Sequence, residues 1–376
     1  MKKIKILAMA LITVLISMML NVSWAASDFE VNVEETIELQ VSNIRYVDAV
    51  WRTENSKIAT IQTSGKGGIS IGSYHNYSYS VVVKGVSKGE TTLYLESSTA
   101  GVLAMATIKV TNELRSIEFY ENNVQIEYGM NYQAQLIYNP QSPDDIGEPV
   151  WRSENESIAA VDQNGLIKSV SCGTTKITAQ VGDKTAELIL TVVLPFKDVN
   201  EQDWYYNSVK YCYEKGIIKG ATETEFRPSA KFSRGMLVTI LWRMEGEPKV
   251  TNAKEFADVT SGKYYYNAIR WATSKGIVNG YSNGKFGPED NITREQLAVM
   301  LRNYAKYKGK NVSQTADISK YKDSGKTSGY AKTSVQWAIA KGIISGKDNG
   351  TRIDPQGTAS RAEAASMIYN YCTKIK

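Results

Sequence analysis

Three arginines, each directly after a serine or threonine, are the residues of this sequence best suited to hold an anion. They occur in the pairs Ser233-Arg234, Thr293-Arg294 and Ser360-Arg361. Ser and Thr are favoured N-cap residues, so each arginine is predicted at the first position of a helix. That end of a helix carries about half a positive charge, and a cation there is unfavourable by roughly 0.3–1 kcal/mol. The pattern therefore predicts a negative group near each arginine.

Two sources of that negative group fit the residues equally well. One is internal, a salt bridge to an aspartate that recurs upstream of each arginine, namely Asp198, Asp258 or Asp323. The other is an anionic ligand, held by the arginine together with helix N–H groups that have no partner within the helix. The residue pattern alone leaves both open.

The arginines belong to a unit that occurs three times in the C-terminal half. Phe196 and Phe256 each precede the arginine of their unit by 38 residues, and Tyr321 precedes its arginine by 40. In between lie a Gly-Ile-x-x-Gly segment, which ends a first helix, and a proline turn six residues before the arginine. A helix-loop-helix of this size does not bury both faces alone, so the three units are expected to share a core. The predicted repeats are 196–248, 255–308 and 320–374.

These marks, together with Phe-x-Asp-Val and Trp-Tyr-Tyr, resemble the surface-layer homology (SLH) domain family. The resemblance implies an all-α module of three repeats that binds a secondary cell-wall polysaccharide, made anionic by a pyruvate ketal. The ketal is a carboxylate fixed on a sugar, which suits an arginine. Carried onto this sequence, the family's polysaccharide-binding residues are Arg234, Arg294, Arg361, Asp198, Asp258, Asp323, Trp204, Tyr264 and Tyr330.

The aromatic and acidic members of that set have two interpretations each. Trp204 would stack on a sugar or belong to the core, and Tyr264 and Tyr330 stand at its place in the other repeats. The aspartates would orient the arginines or bond sugar hydroxyls. The third repeat has Ser324 where the others have Val and lacks the Trp-Tyr-Tyr run, so the sites are expected to be unequal.

The N-terminal half contains a different repeat. Trp-Arg-Thr-Glu-Asn at Trp51 recurs as Trp-Arg-Ser-Glu-Asn at Trp151, and each is followed by Ile-Ala and a later Lys-x-Val-Ser-x-Gly turn. Short alternating runs between turns indicate β-sandwiches. The run from Trp151 to Gly165 resembles the bacterial immunoglobulin-like group 2 family. We therefore expect two all-β immunoglobulin-like sandwiches, 27–112 and 113–194, ahead of the helical repeats.

The first sandwich has a longer segment that differs from the second. From the Trp to the turn Gly it spans 38 residues against 22, and residues 65–80 hold Tyr74, His75, Tyr77 and Tyr79 among Ser and Gly. Binding loops favour this composition because Tyr gives contact area at low entropic cost. One hypothesis is a loop that binds an external protein or glycan. The alternative is an ordinary strand extension.

Little in the sequence suits an enzyme. His75 is the one histidine, so a Ser-His-Asp or Cys-His arrangement would have to include it. Zinc-type spacing and Gly-rich phosphate loops do not occur in the sequence. Sequence does not show which carboxylates pair in space, but the repeats occupy nearly all of residues 27–374. We expect no catalysis, no cofactor and no bound metal.

Residues 1–25 have the pattern of a secretory signal peptide, with three early lysines, an apolar run and a cleavage site after Ala25. No transmembrane segment is expected after its removal, which takes three lysines from a net charge of +5 and leaves about +2. This balance argues against a nucleic-acid partner. Cys172, Cys212 and Cys372 are too few and too scattered for a disulfide framework, so they are expected to be small buried side chains.

Taken together, the sequence predicts an exported cell-surface protein anchored non-covalently to the cell wall, with the sandwiches as spacer or display surface. Two alternatives are an adhesin whose sandwiches bind a host or neighbour-cell ligand, and a structural surface-layer subunit.

Overall fold

The structure is a computed structural model that describes residues 13–16, 27–71, 74–251 and 253–375. The chain forms two compact units. The N-terminal unit takes in Met1–Val124, Asn131–Lys168 and Thr174–Thr191. The C-terminal unit takes in Gln125–Met130, Ser169–Gly173 and Val192–Lys376.

Strands dominate the first half of the chain. In the described residues they are β1 Thr13–Ile16, β2 Ser27–Asn32, β3 Thr36–Ile44, β4 Val50–Thr53, β5 Ala59–Ile71, β6 Tyr74–Gly85, β7 Gly89–Ser97, β8 Gly101–Thr111, β9 Ser116–Phe119, β10 Asn123–Glu127, β11 Asn131–Gln133, β12 Leu136–Asn139, β13 Val150–Ser153, β14 Ala159–Val161, β15 Leu166–Ser169, β16 Gly173–Val181 and β17 Lys184–Val193.

Strands β1 to β8 form two four-stranded sheets around one apolar core. Their orders are β1-β3-β6-β5 and β2-β8-β7-β4. Alternate residues of β3, β6 and β7 point inward, as period-2 burial requires, and Trp51 lies among them with 7% of its surface exposed. Trp51 therefore belongs to the core between these sheets.

The short strand β1 falls inside the predicted signal peptide. It pairs in parallel with β3, from Thr13 opposite Glu38 to Ile16 opposite Val41. The signal peptide over residues 1–25 stays a prediction. An apolar extended segment can add to an open sheet edge through backbone hydrogen bonds alone. The rest of the predicted signal peptide lies outside the described residues.

Strands β9 to β17 form sheets of four, three and two strands, in the orders β10-β17-β16-β13, β11-β15-β14 and β12-β9. Trp151 on β13 is buried and meets the ring of Phe119 edge-on at 5.7 Å. Gly165 has a φ of +77°, and a Cβ there would lie 2.7 Å from the Trp151 ring. The Asp-x-Asn-Gly turn thus needs Gly because the indole covers it.

Helices make up the regular structure of the C-terminal unit. They are α1 Tyr206–Glu214, α2 Arg234–Met244, α3 Tyr266–Ser274, α4 Arg294–Tyr307, α5 Lys332–Ala340 and α6 Arg361–Lys374, with a 3-10 turn at Ser324–Lys326. Each repeat contributes two helices, as predicted. Fully buried aromatic side chains fill the common core, including Phe226, Phe232, Phe286, Trp271 and Trp337.

The Gly-Ile-x-x-Gly segment ends the first helix of each repeat in the same way. Gly276 has a φ of +65°, and the N–H of Ile277 donates to the carbonyl of Ala272 at 2.8 Å. This is the left-handed helix ending for which Gly is the usual residue. The second glycine has a different role, because a Cβ on Gly280 would lie 2.2 Å from Cε1 of Phe256 and 2.7 Å from the Lys285 carbonyl.

The repeats close into a ring. The first helix of each repeat packs on the second helix of another, with α3 on α2, α5 on α4 and α1 on α6. At the centre, the N–H of Ile292 donates to Phe232 O at 2.8 Å, Ala359 N–H donates to Ile292 O at 2.9 Å, and Phe232 N–H donates to Ala359 O at 3.1 Å. Each repeat thus gives and receives one bond, which is an approximate threefold arrangement.

Replacing Gly280 with Ala should destabilise the C-terminal unit by about 1–3 kcal/mol, the cost of overfilling a packed core. The added methyl group has to displace the buried Phe256 ring or the backbone at Lys285. Calorimetric unfolding of the full chain measures this as a lower Tm. Gly329→Ala is the control, since its Cβ would meet no atom within 4 Å. Equal Tm values for the two variants would contradict the packing argument.

Candidate binding grooves

The three arginines begin their helices as predicted. Arg234, Arg294 and Arg361 are the first residues of α2, α4 and α6. The N-cap hydroxyl accepts the backbone N–H three residues on in each case. Helices α4 and α6 have a reciprocal capping box, whereas α2 does not. The second bond of the box needs Gln or Glu, and α2 has Met236 at that position.

The N–H groups of the first two residues in each of these helices already donate to acceptors within the protein. Arg234 N–H donates to Asp290 O at 3.0 Å, and Gly235 N–H donates to Pro288 O at 2.9 Å. The proline turns of the other repeats supply the same two carbonyls to α4 and to α6. The idea that unpaired helix N–H groups hold an anion is therefore wrong. The proline turn of a neighbouring repeat lies at the start of each helix, and its backbone carbonyls accept the N–H groups that have no acceptor within the helix.

Each guanidinium group donates to carbonyls of the same repeat whose proline turn lies at the start of its helix. Arg294 Nε donates to Ile353 O at 2.9 Å, and its Nη2 donates to Ser345 O at 3.2 Å. Arg234 and Arg361 repeat both bonds, to Phe286 and Asn279 and to Phe226 and Lys219 respectively. Burial lowers the pKa of all three arginines. A guanidinium remains charged at neutral pH nonetheless.

The aspartates bind the turn rather than the arginine. Both oxygens of Asp258 accept backbone N–H groups, from Phe286 and Gly287, each at 2.8 Å. Asp198 and Asp323 do the same in their own repeats. In the described part of the chain, no ion pair joins one of these aspartates to the arginines that begin α2, α4 and α6. The aspartate and the arginine are thus not joined by a salt bridge but are linked through one backbone residue. The aspartate accepts the N–H of that residue, and the carbonyl of the same residue accepts the hydrogen bond from the arginine.

Opposing effects set the pKa of these carboxyl groups. Burial raises the pKa of Asp258, but hydrogen bonds from the N–H groups of Phe286 and Gly287 outweigh it, and the net pKa lies below 3.8. The same balance lowers the pKa of Asp323, with bonds from Ile353 and Asp354. The ionised forms therefore belong to the folded state.

The aromatic residues assigned to the sugar are exposed. The exposed fractions are 66% for Trp204, 48% for Tyr264 and 63% for Tyr330. The neighbouring residue in each repeat points inward instead, and Tyr265 is 4% exposed. The alternative that Trp204 belongs to the core does not hold.

Two grooves each bring an arginine and an exposed aromatic residue together, and each of the two draws on all three repeats. The Arg361 groove combines Arg361 with Lys219, Gly220, Tyr264 and the face of α2, around a cavity of about 150 Å³. The Arg294 groove combines Arg294 with Trp204, Ser345, Gly346 and the face of α6, around about 680 Å³. The Arg234 groove is the equivalent place, where Arg234 meets the carbonyls of Asn279 and Phe286 beside α4.

The residues around each arginine differ in ways that the repeat pattern alone did not predict. In the Arg294 groove, Lys347 Nζ lies 2.8 Å from a Glu363 oxygen and 2.9 Å from Asp354, and Arg294 Nη1 lies 3.9 Å from Glu363. The Arg361 groove has Met236 at the place of Glu363. The sequence signal for these groove residues is a position that differs between the repeats, such as Met236, Gln296 and Glu363. A position that the shared fold requires would hold the same residue in each repeat.

The Tyr-rich segment lies within the sheet β1-β3-β6-β5. Tyr77 stands opposite Ile44 and Tyr79 opposite Val41, both tyrosines are buried, and Tyr79 donates its hydroxyl hydrogen to Tyr46 O at 2.8 Å. The assignment of Tyr77 and Tyr79 to a partner-binding loop is therefore corrected, since alternation along β6 points them into the core. His75 is exposed, and the side chain of Tyr74 lies outside the described part of the structure.

The remaining predicted features concern cysteines, metals and membranes. The three cysteines are free thiols, and burial raises the pKa of Cys372 to about 11 and that of Cys172 to about 12. Among the residues that the structure describes, no three or more His, Cys, Asp or Glu side chains are grouped to hold a metal ion. No helix in the described ranges is both long and apolar enough to cross a membrane.

The S-layer homology domain family matches residues 195–235, 255–298 and 320–365. The bacterial Ig-like domain (group 2) family matches residues 113–192. The chain therefore carries three S-layer homology repeats and one bacterial Ig-like (group 2) domain. These repeats indicate a cell-surface protein associated with the cell wall.

Curated relatives share part of this chain. An endoglucanase of Bacillus sp. (strain KSM-635) is 30% identical over 48% of this chain and 19% of its own length. The S-layer protein sap of Bacillus anthracis is 30% identical over 50% and 23%. A surface-layer 125 kDa protein of Lysinibacillus sphaericus is 28% identical over 49% and 16%. The chain thus spans less than a quarter of the length of these relatives.

Asp258→Asn should cost about 1–3 kcal/mol of stability at pH 7, because an amide offers one acceptor oxygen to two N–H groups. The sign of the pH dependence follows from the lowered pKa. The carboxylate stabilises the fold above its unfolded pKa near 3.8, and this contribution is lost as pH falls through the lower folded value. Urea unfolding at pH 7 and below about pH 4 measures the difference. Glu223→Gln, at an exposed site, is the control, and a difference between wild type and Asp258→Asn that stays constant with pH would refute the argument.

Proposed function

We propose that the C-terminal unit anchors the protein by binding a secondary cell-wall polysaccharide, anionic through pyruvate ketals, in the grooves between its repeats. The observation that carries this proposal is the pairing of an exposed aromatic residue with a buried arginine. Trp204 and Arg294 share one cavity, and Tyr264 and Arg361 share another. A flat ring suits the apolar face of a sugar, and an arginine suits a carboxylate.

Individual residues take distinct roles in this proposal. Trp204, Tyr264 and Tyr330 contact sugar rings. Arg234, Arg294 and Arg361 meet the ligand with the edge that their carbonyl partners leave exposed. The three aspartates are positioning residues, since their oxygens hold the turn that fixes the arginine.

The breadth of the relatives supports anchoring over catalysis. Proteins called endoglucanase and S-layer protein share with this chain the segment of the anchoring repeats. A segment that accompanies such different proteins fits a function that does not depend on their chemistry. We infer that this chain is not an enzyme, and that its β-rich N-terminal region acts as a spacer or display surface.

We extend the Ig-like assignment to the first sandwich, residues 27–112. The support is a matching set of hydrogen bonds around the two Trp motifs. Asn55 N–H donates to Thr91 Oγ1 at 3.0 Å, and Asn155 N–H donates to Thr175 Oγ1 at 3.0 Å. Trp51 and Trp151 are each 7% exposed.

A binding assay on purified cell-wall sacculi tests the anchor. The full chain should sediment with sacculi and should stay in solution once the non-peptidoglycan polysaccharide is stripped. A Trp204→Ala, Tyr264→Ala double variant should bind about tenfold more weakly or worse, as exposed aromatic anchors commonly do. Exposed residues are chosen because an arginine-to-alanine change would also leave buried carbonyls without donors.

Tyr120→Ala supplies the matched control, because Tyr120 is 70% exposed and lies in the N-terminal unit. Its binding should equal that of the wild type. Sedimentation that survives removal of the polysaccharide would refute the proposed ligand, and equal binding by the double variant would refute the grooves as its site.

A further inference from the structure

The charged residues that line the two open grooves differ although the backbone around them is the same. The Arg361 groove is lined by Lys219, Arg243 and Arg361 and by no acidic residue. The Arg294 groove is lined by Arg294 and Lys347 but also by Asp348 and Glu363. Formal charges of the lining residues are therefore +3 in the first groove and zero in the second, although Arg243 Nε also lies 3.6 Å from Glu247, which is outside the lining.

The bonding of the two guanidinium groups follows the same division. Arg361 uses Nε and Nη2 on carbonyls, and no hydrogen bond or ion pair in the described residues occupies its Nη1. The residue is nevertheless nine-tenths buried, with 9% exposed. Asp198 acts on Arg361 electrostatically, but both its oxygens already accept the N–H groups of Phe226 and Arg227.

In the Arg294 groove the positive charges already have partners. Glu363 lies between Lys347, at 2.8 Å, and Arg294, at 3.9 Å, and Lys347 also contacts Asp354. Added anions would meet Glu363 at close range, which is unfavourable. The other lining groups are neutral and polar, including Asn207, Ser366 and Asn370, and they suit sugar hydroxyls.

Cavity size agrees with this division. The Arg294 groove, at about 680 Å³, lies within the range of about 300–1,000 Å³ that holds small organic ligands. The Arg361 groove, at about 150 Å³, is below that range and fits a substituent rather than a whole sugar unit.

In the Arg234 groove, side chains of the protein itself lie beside the arginine. Glu295, 3% exposed, accepts the N–H and the hydroxyl hydrogen of Ser328 and the hydroxyl hydrogen of Tyr330. The Tyr281 ring lies 4.6 Å from the Arg234 guanidinium carbon. Those contacts tie Tyr330 of the third repeat to α4 and place the Tyr281 ring against Arg234.

We propose that the grooves divide the ligand between them: the Arg361 groove binds the carboxylate substituent of the polysaccharide, and the Arg294 groove binds an uncharged sugar unit of the same polymer. This inference rests on the proposed function and adds a ligand class to each groove.

Position 236 allows a test that leaves the fold intact. Met236→Glu places in the Arg361 groove the carboxylate that Glu363 places in the Arg294 groove. Met236→Gln is the uncharged match, as Gln296 is in the second repeat. Both substitutions complete a capping box with Ser233 and both lose the packing of the half-buried Met236 on the core, so the two variants should match each other in stability, which their Tm values check.

Affinity is measured on the full chain with two probes, at one ionic strength. One probe is the non-peptidoglycan wall polysaccharide, and the other is the same polymer with its carboxylates converted to methylamides. Relative to Met236→Gln, Met236→Glu should bind the native polymer about tenfold more weakly, because a new carboxylate opposes the bound one. The two variants should bind the amidated polymer alike.

Trp204→Ala reports on the other groove, and it should weaken binding of native and amidated polymer by the same factor. If Trp204→Ala weakened binding of the native polymer alone, the carboxylate would lie in the Arg294 groove, and the proposed division would be overturned. Equal binding of the native polymer by Met236→Glu and Met236→Gln would overturn it as well.

The wild type separates failure of the division from failure of the anchor. Equal affinity of the wild type for native and amidated polymer would refute the division while the anchor stands. A wild type that binds neither polymer would refute the anchor and the division with it.

Discussion

The C-terminal unit depends on a closed cycle of three backbone hydrogen bonds, among Phe232, Ile292 and Ala359. These residues are at most 1% exposed, so an N–H left unpaired there would carry a desolvation cost of about 1–3 kcal/mol. No single repeat can satisfy its own member of the cycle, and two repeats would leave one donor and one acceptor open. The number of repeats is thereby fixed by hydrogen bonding as well as by burial of apolar faces.

The same closure explains why no groove belongs to one repeat. Once each second helix packs on the next repeat, its arginine reaches carbonyls there, and the aromatic of that next repeat reaches the helix face. The Arg361 groove thus takes its arginine from the third repeat, its glycine segment from the first and its tyrosine from the second. A repeat that departs from the shared motif therefore alters a groove whose remaining residues come from the other repeats. The third repeat, which lacks the Trp-Tyr-Tyr run, places Tyr330 beside α4 of the second repeat, where its hydroxyl group donates to Glu295.

Local features were predictable from the sequence, and features that depend on packing were not. Caps, the arginine at the first helical position and the glycine helix endings follow from a few adjacent residues. The acceptors of the arginines are carbonyls of another repeat, and sequence gives neither their identity nor the order of repeats around the ring. Tyr77 and Tyr79 are an intermediate case. Their alternation with Val81 and Val83 indicates one face of a strand, whereas the Tyr, Ser and Gly composition favours a binding loop, and the fold follows the alternation.

The fold and the binding chemistry occupy separate positions in each repeat. Ring closure, helix-end bonds and the arginine acceptors all use main-chain atoms, together with an aspartate and an arginine that recur in every repeat. The position three residues after the N-cap needs only a side chain that tolerates a helix start, and it holds Met236, Gln296 and Glu363. Since substitutions there leave the ring bonds untouched, the grooves are free to diverge in charge while the framework stays constant. Under the proposed division, a polymer that presents both charged and uncharged units would therefore meet unlike sites on one common frame.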